Sequence, residues 1–382
     1  MVFHVMVKPT GAKCNLNCQY CFYLPKEDLY PDGSFRMSEE VLEEFTRQYF
    51  EANRGTRCVE FAWQGGEPTL MGLDFFRKAV ELQKKYAPSG VVVSNAFQTN
   101  GTLLDDEWCK FFHEQNFLVG ISLDGPEELH NRYRVDKQGR PTFSRVMAGV
   151  ELLRKHKVEF NILCLLNNFN ADHPEKVYRF FAKEGFQFWQ FIPGVGRAGG
   201  RVTPWSVKPR QYGRFLTAIF QRWIRKDVGR IFIQQFEVFL GAWLGQIPTL
   251  CSYAPSCGRA LALEHNGDLY SCDHFVTEEN FLGNILKQPL AELVRSPKQR
   301  AFGREKANLP AKCKKCEYLF ACHGGCPKDR FLPTEEGIDS YYLCRCLIKF
   351  FQETDPYFRL LARQVAAGQE PARVMEILRK SR

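Results

Sequence analysis

The stretch Cys14-Asn15-Leu16-Asn17-Cys18-Gln19-Tyr20-Cys21 brings three thiols into eight residues. Three and then two residues separate its cysteines, so one tight loop can aim all three sulfurs at a single point. A structural zinc site needs a fourth ligand, and the next cysteine is Cys58. Three thiolates on a four-iron cluster leave one iron without a protein ligand. Because chemistry occurs at an open metal position, the stretch predicts a catalytic iron–sulfur cluster. The alternatives are an incomplete zinc knuckle or three unrelated thiols.

A second group of nine thiols lies toward the carboxyl end of the chain. Its members are Cys251, Cys257, Cys272, Cys313, Cys316, Cys322, Cys326, Cys344 and Cys346. Eight thiols can complete two four-iron clusters, and clusters without an open iron carry electrons. Two structural zinc sites would also use eight ligands, so the spacing leaves both interpretations open until the upstream triplet favours iron and sulfide. Between the groups, Cys58, Cys109 and Cys164 are predicted to be plain core residues.

Composition limits the class of protein. The chain has 382 residues, of which 45% are apolar and 25% charged, as is typical of a folded globular protein. The net charge of +9 is spread along the sequence, apart from short clusters such as Lys312, Lys314 and Lys315. A solvated surface is favoured over a nucleic-acid site, and only a mild preference for acidic partners is expected. We therefore predict no nucleic-acid partner.

No segment of the sequence predicts a membrane span or an export signal. The longest apolar run, residues 160–166, is too short to cross a bilayer. The amino-terminal residues have no basic region and no cleavage site of a signal peptide. We therefore expect no membrane partner and a cytoplasmic location, where clustered thiols are metal ligands more often than disulfides.

Strands and helices alternate through the first half of the chain. Predicted strands cover residues 3–8, 59–64, 91–97, 117–123, 158–166 and 186–192. Ser38, Asp74 and Asp105 are the predicted caps of three of the intervening helices. This alternation predicts a parallel sheet with helical crossovers. Polar or glycine-rich stretches follow several strands, and the carboxyl ends of such strands form the active-site edge.

After Pro193 the pattern changes. Glycines and Pro204 indicate a loop, and helices are predicted over residues 209–226 and 234–244. Residues 261–264 and 269–270 predict a hairpin closed by an Asn266-Gly267 turn. From about residue 341 the pattern returns to helix.

The combined motifs resemble a known family. Cys14-x-x-x-Cys18-x-x-Cys21 after the first strand resembles the signature of the radical S-adenosylmethionine (SAM) superfamily, and Gly65-Gly66-Glu67-Pro68 resembles its GGEP motif. The carboxy-terminal cysteines resemble the SPASM domain, which holds two auxiliary four-iron clusters. Blocks at residues 14–23, 64–70, 98–103 and 158–164 are similar to the anaerobic sulfatase-maturating enzymes. The resemblance runs from about residue 3 to residue 350.

This resemblance implies the fold class α/β: a partial (β/α)6 TIM-like barrel of the radical SAM type with a C-terminal Cys-rich SPASM domain carrying two auxiliary clusters. The predicted domains are a radical SAM core at residues 1–195, a helical linker at 196–250, the SPASM domain at 251–350 and a helical tail at 351–382.

The resemblance also implies SAM and three [4Fe-4S] clusters as cofactors. The three clustered thiols at the start would hold the cluster whose open iron chelates the amino and carboxylate groups of SAM. Gly65 and Gly66 would allow close backbone approach to the methionine moiety, and Glu67 would accept a hydrogen bond from its ammonium. An ordinary turn is the alternative for this motif. The further SAM contacts that the family pattern implies are Tyr20, Ser122, Arg134 and Val195.

The family's auxiliary ligands carry over by position. One cluster receives Cys251, Cys257, Cys272 and Cys326, and the other receives Cys313, Cys316, Cys322 and Cys344. Cys346 is an additional thiol two residues from Cys344 and could replace it as ligand.

Asp273 follows Cys272 directly, and in the family this pair supplies a cluster ligand and the catalytic base. Because an Asp titrates near 4 in water, we expect some desolvation to make it a useful base. The alternative is an Asp in a turn beside the hairpin.

The implied reaction converts a Cys or Ser of a sulfatase to Cα-formylglycine. The adenosyl radical would take a hydrogen atom from Cβ, Asp273 would take the thiol or hydroxyl proton, and an auxiliary cluster would accept the remaining electron. The implied partners are an unfolded or nascent sulfatase peptide and an electron donor such as flavodoxin or ferredoxin.

Two rival functions remain at this point. Another SPASM-type enzyme could form thioether or carbon–carbon crosslinks in a peptide, although Asp273 and the four family-like blocks favour sulfatase maturation. A non-enzymatic zinc or iron–sulfur electron-transfer protein is the rival of a different class. Iron and sulfide analysis with a test of SAM cleavage would separate the enzymes from this second rival.

Overall fold

The computed structural model of the protein describes residues 3–31 and 33–380. By its internal contacts the chain forms two compact units. Unit 1 comprises Met1–Ser122, Tyr133–Phe160 and Cys257–Glu305, and unit 2 comprises Leu123–Arg132, Asn161–Ser256 and Lys306–Arg382. The domain boundaries drawn from motifs and composition stay a prediction.

The regular elements alternate as the sequence predicts. The strands are β1 His4–Lys8, β2 Cys58–Trp63, β3 Val92–Thr99, β4 Phe117–Ser122, β5 Phe160–Leu166, β6 Phe188–Pro193, β7 Arg197–Ala198, β8 Arg201–Val202, β9 Phe232–Ile233, β10 Ala260–Glu264, β11 Asp268–Tyr270, β12 Phe281–Asn284, β13 Arg330–Leu332 and β14 Ser340–Tyr341. The helices are α1 Glu39–Ala52, α2 Leu73–Tyr86, α3 Asp106–Glu114, α4 Glu127–His130, α5 Phe143–Lys155, α6 Pro174–Lys183, α7 Pro209–Lys226, α8 Gln234–Trp243, α9 Leu290–Val294, α10 Pro297–Glu305, α11 Ala311–Lys314, α12 Leu319–Cys322, α13 Cys344–Ala366 and α14 Arg373–Lys380. Short 3-10 turns cover Leu24–Leu29, Pro68–Met71, Asn170–Asp172, Asp273–Phe275, Glu278–Asn280 and Pro327–Asp329. None of the helices within the described ranges has both the length and the apolar character that a bilayer crossing requires.

The strands of unit 1 follow the order β12-β11-β10-β1-β2-β3-β4. β1 to β4 are parallel, as the alternation of strands and helices predicts. β10 pairs parallel with β1, with Glu264 opposite Lys8. The hairpin predicted at Asn266-Gly267 is confirmed, because β11 returns antiparallel to β10 and Gly267 has a φ of 89°. A late segment of the chain therefore lies directly beside the first strand.

Aromatic side chains fix the helices of unit 1 on their strands. Phe61 of β2 meets Phe45 of α1 edge to face, with 5.8 Å between the ring centroids. Trp63 of β2 meets Phe76 of α2 in the same way at 5.5 Å, and Phe76 lies 5.0 Å from Phe97 of β3. Such pairs add to the free energy gained by burial. This packing holds the strands whose carboxyl ends lead into the polar loops.

Side-chain caps set two of the predicted helix starts. Ser38 and Asp105 each accept a hydrogen bond from the backbone N–H three residues later, at 3.2 Å and 2.9 Å. The predicted cap Asp74 is wrong. Helix α2 begins after Gly72, whose φ of 83° favours glycine, and Asp74 lies in the first turn beside Arg77 at 2.7 Å.

Unit 2 contains the parallel strands β5, β6 and β9. Both predicted helices after Pro193 are confirmed as α7 and α8, and both pack on α13. Phe220 of α7 lies 4.9 Å from Phe358 of α13 between ring centroids, and Phe239 of α8 lies 4.9 Å from Phe351. The same packing fixes the amino end of α13, where Cys344 lies.

Candidate active site

The cysteine loop follows β1 in unit 1 and is held by polar neighbours. Cys21 N donates to Cys18 O at 3.0 Å, which closes a turn between the second and third thiols. Asn100 Nδ2 donates to Asn15 Oδ1 at 2.8 Å, and Asn15 Nδ2 donates to Thr102 Oγ1 at 2.9 Å. These bonds tie the loop to the segment after β3, as expected for loops at the carboxyl ends of parallel strands.

All three thiols of this loop are partly exposed and outside any disulfide. Burial raises the pKa of the Cys14 thiol to about 12, with further rises from the charges of Glu67, Cys18 and Cys21. Iron binds the deprotonated thiolate, so a bound cluster would offset the effects that keep the Cys14 thiol protonated. Within residues 3–31 and 33–380, no three His, Cys, Asp or Glu side chains are spaced to hold a single metal ion. A four-iron cluster sets a different requirement, because each thiolate binds its own iron, and three thiols on one loop supply donors for three of the four irons.

Gly65 and Gly66 bring the loop after β2 against the backbone of the cysteine loop. Gly66 N donates to Gly11 O at 2.7 Å, and Glu67 N donates to Lys13 O at 2.8 Å. Gly65 has a φ of 133°, and a Cβ on Gly66 would lie 1.8 Å from Lys13 O. The glycines are thus required where two loops touch. Their predicted approach to the methionine moiety stays a prediction.

We expect Gly66→Ala to lower both the iron content and the stability of the protein. The new methyl group would overlap a backbone oxygen that cannot move alone, so we expect the free energy of unfolding to fall by about 1–3 kcal/mol. Gly55→Ala is the control, because no atom lies within 4 Å of its Cβ position. That variant introduces only left-handed backbone strain, about 1 kcal/mol. Iron analysis and denaturant titration check this, and equal iron content in both variants would contradict it.

The Glu67 side chain is buried and surrounded by protein donors. Its Oε1 accepts from Thr99 Oγ1 at 2.7 Å and Thr69 Oγ1 at 2.8 Å, and its Oε2 accepts from Asn100 N at 2.8 Å. Burial raises the pKa of Glu67, against these hydrogen bonds, which lower it. A carboxylate has about four acceptor sites, so protein donors use most of them. Glu67 joins the ends of β2 and β3, and its predicted contact with the SAM ammonium stays a prediction.

Three other predicted SAM contacts lie in unit 1. The buried Tyr20 ring meets Tyr133 edge to face at 6.0 Å, and the Arg134 guanidinium carbon lies 5.4 Å from the Tyr20 ring centroid. Ser122 ends β4, and its Oγ accepts a hydrogen bond from Gln98 Nε2 at 3.1 Å. The structure therefore brings Tyr20 and Arg134 together and places Ser122 beside Gln98, one residue before the end of β3.

Val195 lies in unit 2, in the loop that follows β6. The glycines on either side of it are pinned by backbone and hydroxyl contacts. Val207 N donates to Gly194 O at 2.9 Å, and Gly196 N donates to Ser206 Oγ at 2.9 Å. The position of Val195 is thereby fixed, and its predicted contact with adenine stays a prediction.

Asp273 directly follows Cys272, and only 14% of its side chain is exposed. Its Oδ2 lies 3.8 Å from the Nζ of Lys8, the last residue of β1. Lys8 Nζ also lies 4.4 Å from the centroid of the Tyr23 ring. Because Lys8 precedes the cysteine loop and Tyr23 follows it, the candidate base stands beside that loop within unit 1.

Lys8, Tyr23 and Glu264 form a buried polar group that no motif pointed to. The relative exposures of Lys8 and Glu264 are 2% and 1%. Tyr23 Oη donates a hydrogen bond to Glu264, whose Oε2 lies 3.4 Å from His265 Nδ1. A buried charge requires a partner. A lysine at the end of an apolar strand was therefore the one feature of the sequence that could have indicated this buried polar group. Its partners come from a segment that sequence alone does not link to β1.

The pKa of Asp273 shifts in the opposite direction from the one that desolvation alone would cause. Burial raises it, but the charges of His274 and Lys8 and a hydrogen bond from Cys272 outweigh burial, so the pKa lies below its usual value. Asp273 is thus desolvated as expected, but its charged and hydrogen-bonding neighbours lower the pKa by more than desolvation raises it. A proton acceptor must be ionised, and the Lys8 charge favours that form.

Four predicted auxiliary ligands lie together in unit 2. Burial raises the pKa of Cys322 to about 12, and the charges of Cys344, Cys316 and Cys313 raise it further. Burial likewise raises the pKa of Cys344, followed by the charge of Cys313. These mutual effects support the prediction that the four thiols are ligands of one cluster.

The Cys346 thiol is engaged in contacts with its own helix and with α7. Its Sγ donates to Leu343 O at 3.0 Å. A Cβ on Gly213 of α7 would lie 2.8 Å from the Cβ of Cys346, so this thiol packs against a neighbouring helix. The geometry favours Cys344 as the ligand.

The other four predicted ligands are divided between the two units: Cys251 and Cys326 belong to unit 2, and Cys257 and Cys272 belong to unit 1. In unit 2, burial raises the pKa of Cys326 to about 12, and the charge of Cys251 contributes to the rise. In unit 1, Gln299 Nε2 donates at 3.1 Å and 3.3 Å to the carbonyls of the residues next to Cys257 and Cys272. One side chain thus holds both of these cysteine segments.

The three intervening cysteines differ in burial. Cys109 and Cys164 are buried, which confirms their prediction as core residues. The prediction for Cys58 is wrong, because it begins β2 at an exposed position, with its Sγ 3.9 Å from Ser94 Oγ. All fifteen cysteines fall within the described residues, and none is joined in a disulfide.

Known proteins resemble this chain over nearly its whole length. Residues 9–181 match the Radical SAM superfamily, and residues 251–317 match SPASM, an iron-sulfur cluster-binding domain. The serine-type anaerobic sulfatase-maturating enzyme of Bacteroides thetaiotaomicron is 45% identical, covering 98% of this chain and 95% of that protein. The cysteine-type enzyme of Clostridium perfringens is 37% identical, covering 92% and 96%.

A solved structure extends the similarity to the fold. Native anSMEcpe with bound AdoMet and Cp18Cys peptide matches with a TM-score of 0.86 at 35% identity, covering 95% of this chain and 99% of that one. These findings confirm the predicted resemblance and the predicted fold class, an α/β radical SAM core with a SPASM domain. The cofactors of this family are SAM and three [4Fe-4S] clusters. The chain belongs to the anaerobic sulfatase-maturating enzymes of the radical SAM superfamily.

Proposed function

We propose that this enzyme oxidises a Cys or Ser side chain of a sulfatase peptide to Cα-formylglycine. The observation that carries the proposal is the position of Asp273, buried beside Lys8 and Tyr23 at the cysteine loop. In this proposal Asp273 is a proton acceptor beside the loop that would hold the cluster where the reaction starts. The names of the relatives support both serine and cysteine as substrates.

We assign the clusters to the thiols in three sets. Cys14, Cys18 and Cys21 would hold the cluster that binds SAM, with Gly65, Gly66, Glu67, Tyr20, Ser122, Arg134 and Val195 around SAM. Cys251, Cys257, Cys272 and Cys326 would hold one auxiliary cluster, and Cys313, Cys316, Cys322 and Cys344 the other. When bound, SAM and its cluster supply the one-electron chemistry that removes a hydrogen atom from the substrate Cβ.

Asp273 takes the proton of the substrate thiol or hydroxyl. Lys8 holds the carboxylate in place from the end of β1 and stabilises its ionised form. Burial of both groups excludes water, which strengthens their interaction with each other and with the substrate. After the hydrogen atom and the proton have left, the remaining electron would pass to an auxiliary cluster. The product is then the aldehyde from Ser, or from Cys a thioaldehyde that water hydrolyses to the aldehyde with release of hydrogen sulfide.

The electron source belongs to the same proposal. A flavodoxin or ferredoxin would supply the electron for SAM cleavage, and an unfolded or nascent sulfatase segment would supply the substrate side chain. Fifteen cysteines without a disulfide support a reducing compartment such as the cytoplasm.

We expect Lys8→Met to lower stability and to impair substrate oxidation more than SAM cleavage. Loss of the cation leaves the buried Asp273 carboxylate without its lysine partner, so the free energy of unfolding should fall by up to about 3 kcal/mol. Lys13→Met is the control, because its ion pair with Glu27 is 43% exposed on both sides. Exposed pairs contribute about 0–1 kcal/mol. Denaturant titration and the ratio of formylglycine to 5′-deoxyadenosine check this, and an unchanged ratio would contradict it.

The proposed function is tested with two substrate peptides. The reconstituted enzyme is incubated anaerobically with SAM, dithionite and sulfatase-motif peptides that differ only in Cys or Ser at the target position. Mass spectrometry and trapping of the aldehyde with a hydrazine reagent identify formylglycine. SAM cleavage without aldehyde on either peptide would refute the proposal, and a crosslinked product would favour a different peptide modification.

A further inference from the structure

A cleft of about 410 Å³ lies within unit 2, near the starts of strands β5, β6 and β9 and against helix α8. Its volume is in the range of sites that bind small molecules or single side chains. The loop that carries Val195 follows the other end of β6. None of the residues assigned above to SAM, to a cluster or to proton transfer is among the described residues that line the cleft.

Two stacked aromatic rings belong to the wall of this cleft. The planes of the Phe188 and Phe232 rings differ by 14°, and their centroids lie 5.1 Å apart. The stacking follows from the sheet, because β6 and β9 pair in parallel with these two residues opposite each other. Phe188 is 43% exposed. Exposed ring surface of this kind suits a flat group that can stack on it, a cationic group above all.

Glu237 of α8 supplies the charge of the cleft, since no other charged side chain is among its described lining residues. The side chain is exposed, but the walls of the cleft desolvate its carboxylate and raise its pKa. Within residues 3–31 and 33–380, neither a cation nor a hydrogen-bond donor contacts this carboxylate. A charge that is desolvated without a partner is costly. A cationic ligand would remove that cost.

A second acceptor without a donor lines the same cleft. Asn161 Oδ1 is buried, and no donor reaches it from the part of the chain that the structure describes. A buried oxygen that lacks its hydrogen bond destabilises the fold, and a bound donor would satisfy it. The Glu237 carboxylate and the Asn161 oxygen therefore both require N–H donors that the described protein does not provide.

We propose that this cleft binds a guanidinium group, carried either by a free small molecule or by an arginine of a peptide. A guanidinium is planar and always charged, carries five N–H donors and stacks on aromatic rings. One such group can pair with Glu237, donate to Asn161 and lie against a phenylalanine ring. The site goes beyond the proposed reaction, which uses none of these residues.

Two other classes of ligand fit the cleft less well. A divalent metal ion takes six or more oxygen ligands, with carboxylates among them, whereas Glu237 is a single carboxylate. An apolar ligand could cover Ile247, which is 72% exposed. It would also cover the Glu237 carboxylate without giving it a partner.

The test measures ligand binding to the reconstituted full-length enzyme by calorimetry. The ligands are agmatine and a capped tripeptide with a central arginine, and the matched ligand is the same tripeptide with citrulline, whose urea group is neutral. We expect the arginine peptide to bind at least about tenfold more tightly than the citrulline peptide. Equal affinities of agmatine and the arginine peptide would support the proposal with a free small molecule as the source. Binding of the peptide about tenfold more tightly than agmatine would support it with a peptide as the source.

Variants of the cleft locate the binding. Glu237→Gln should weaken binding of the arginine peptide about tenfold, and Phe188→Leu about threefold. Glu370→Gln is the control, because Glu370 is an exposed residue of unit 2 outside the cleft, and it should bind as wild type does. Since Glu237→Gln removes a desolvated charge, its unfolding temperature should equal or exceed that of wild type, which separates lost binding from misfolding.

Three results would overturn the proposal: no saturable binding of either guanidinium ligand, equal affinity for the arginine and citrulline peptides, or unchanged affinity in Glu237→Gln. Tighter binding of a tripeptide with a central norleucine would also overturn it, by showing an apolar site. Binding is measured without turnover, so the outcome is independent of whether the enzyme forms formylglycine.

Discussion

The variant Cys14→Ala, Cys18→Ala, Cys21→Ala is expected to cleave no SAM above background. Without these thiols the loop after β1 has no ligands for the cluster that presents an open iron. The iron content should fall from about twelve to about eight atoms per chain, because the two auxiliary clusters remain. Anaerobic assay of 5′-deoxyadenosine with dithionite as reductant, together with iron analysis, measures both effects.

Cys58→Ala provides the control for this loss. Cys58 is an exposed thiol at the start of β2, in the same unit as the loop. Its removal should leave the iron content and SAM cleavage unchanged. Continued SAM cleavage by the triple variant would show that the cysteine loop does not bind the reactive cluster.

Asp273→Asn is expected to separate SAM cleavage from substrate oxidation. The amide keeps the shape of the side chain but cannot accept the substrate proton, so formylglycine formation should fall about 10²- to 10⁴-fold. Cleavage of SAM should persist, because the cysteine loop, Gly66 and Glu67 are unaltered. Measuring 5′-deoxyadenosine and aldehyde in the same single-turnover reaction gives the ratio of substrate oxidation to SAM cleavage.

The nearby Glu279→Gln variant is the control for Asp273→Asn. Glu279 is exposed on the 3-10 turn before β12 and has no contact with Lys8. It should retain the wild-type ratio of the two products. Since Asp273→Asn also leaves Lys8 without its carboxylate, iron content and unfolding are measured to exclude a general loss of structure. Full formylglycine formation by Asp273→Asn would rule out Asp273 as the proton acceptor.

Local pattern predicted much of the fold. Apolar periodicity placed the strands and helices of the first half, because each element buries one face and the spacing of that face is visible in sequence. Ser38 and Asp105 signalled helix starts because a cap is a contact across three residues. Asp74 failed as a cap because Gly72, two residues earlier, set the helix start through its backbone conformation.

The candidate site was predictable only as far as its motifs extend. The thiol spacing and the Gly-Gly-Glu string are local, and both marked the loops that the structure brings together. The pairing of Lys8 with Asp273 and the hydrogen bond from Tyr23 to Glu264 join residues far apart in sequence. No short sequence motif predicts such contacts, because they arise when β10 pairs with β1. For the same reason the sequence predicted only the desolvation of Asp273, since its cationic neighbour was unknown.

The pairing of β1 between β2 and β10 also sets an order for biosynthesis. The ribosome makes the cysteine loop before β10, because Glu264, which accepts the Tyr23 hydrogen bond, lies 241 positions after Tyr23. Until then β1 has an open edge, which is prone to pair with other strands. The three thiols of the loop are therefore fixed only after β10 has been made, so stable loading of their cluster would follow synthesis of β10.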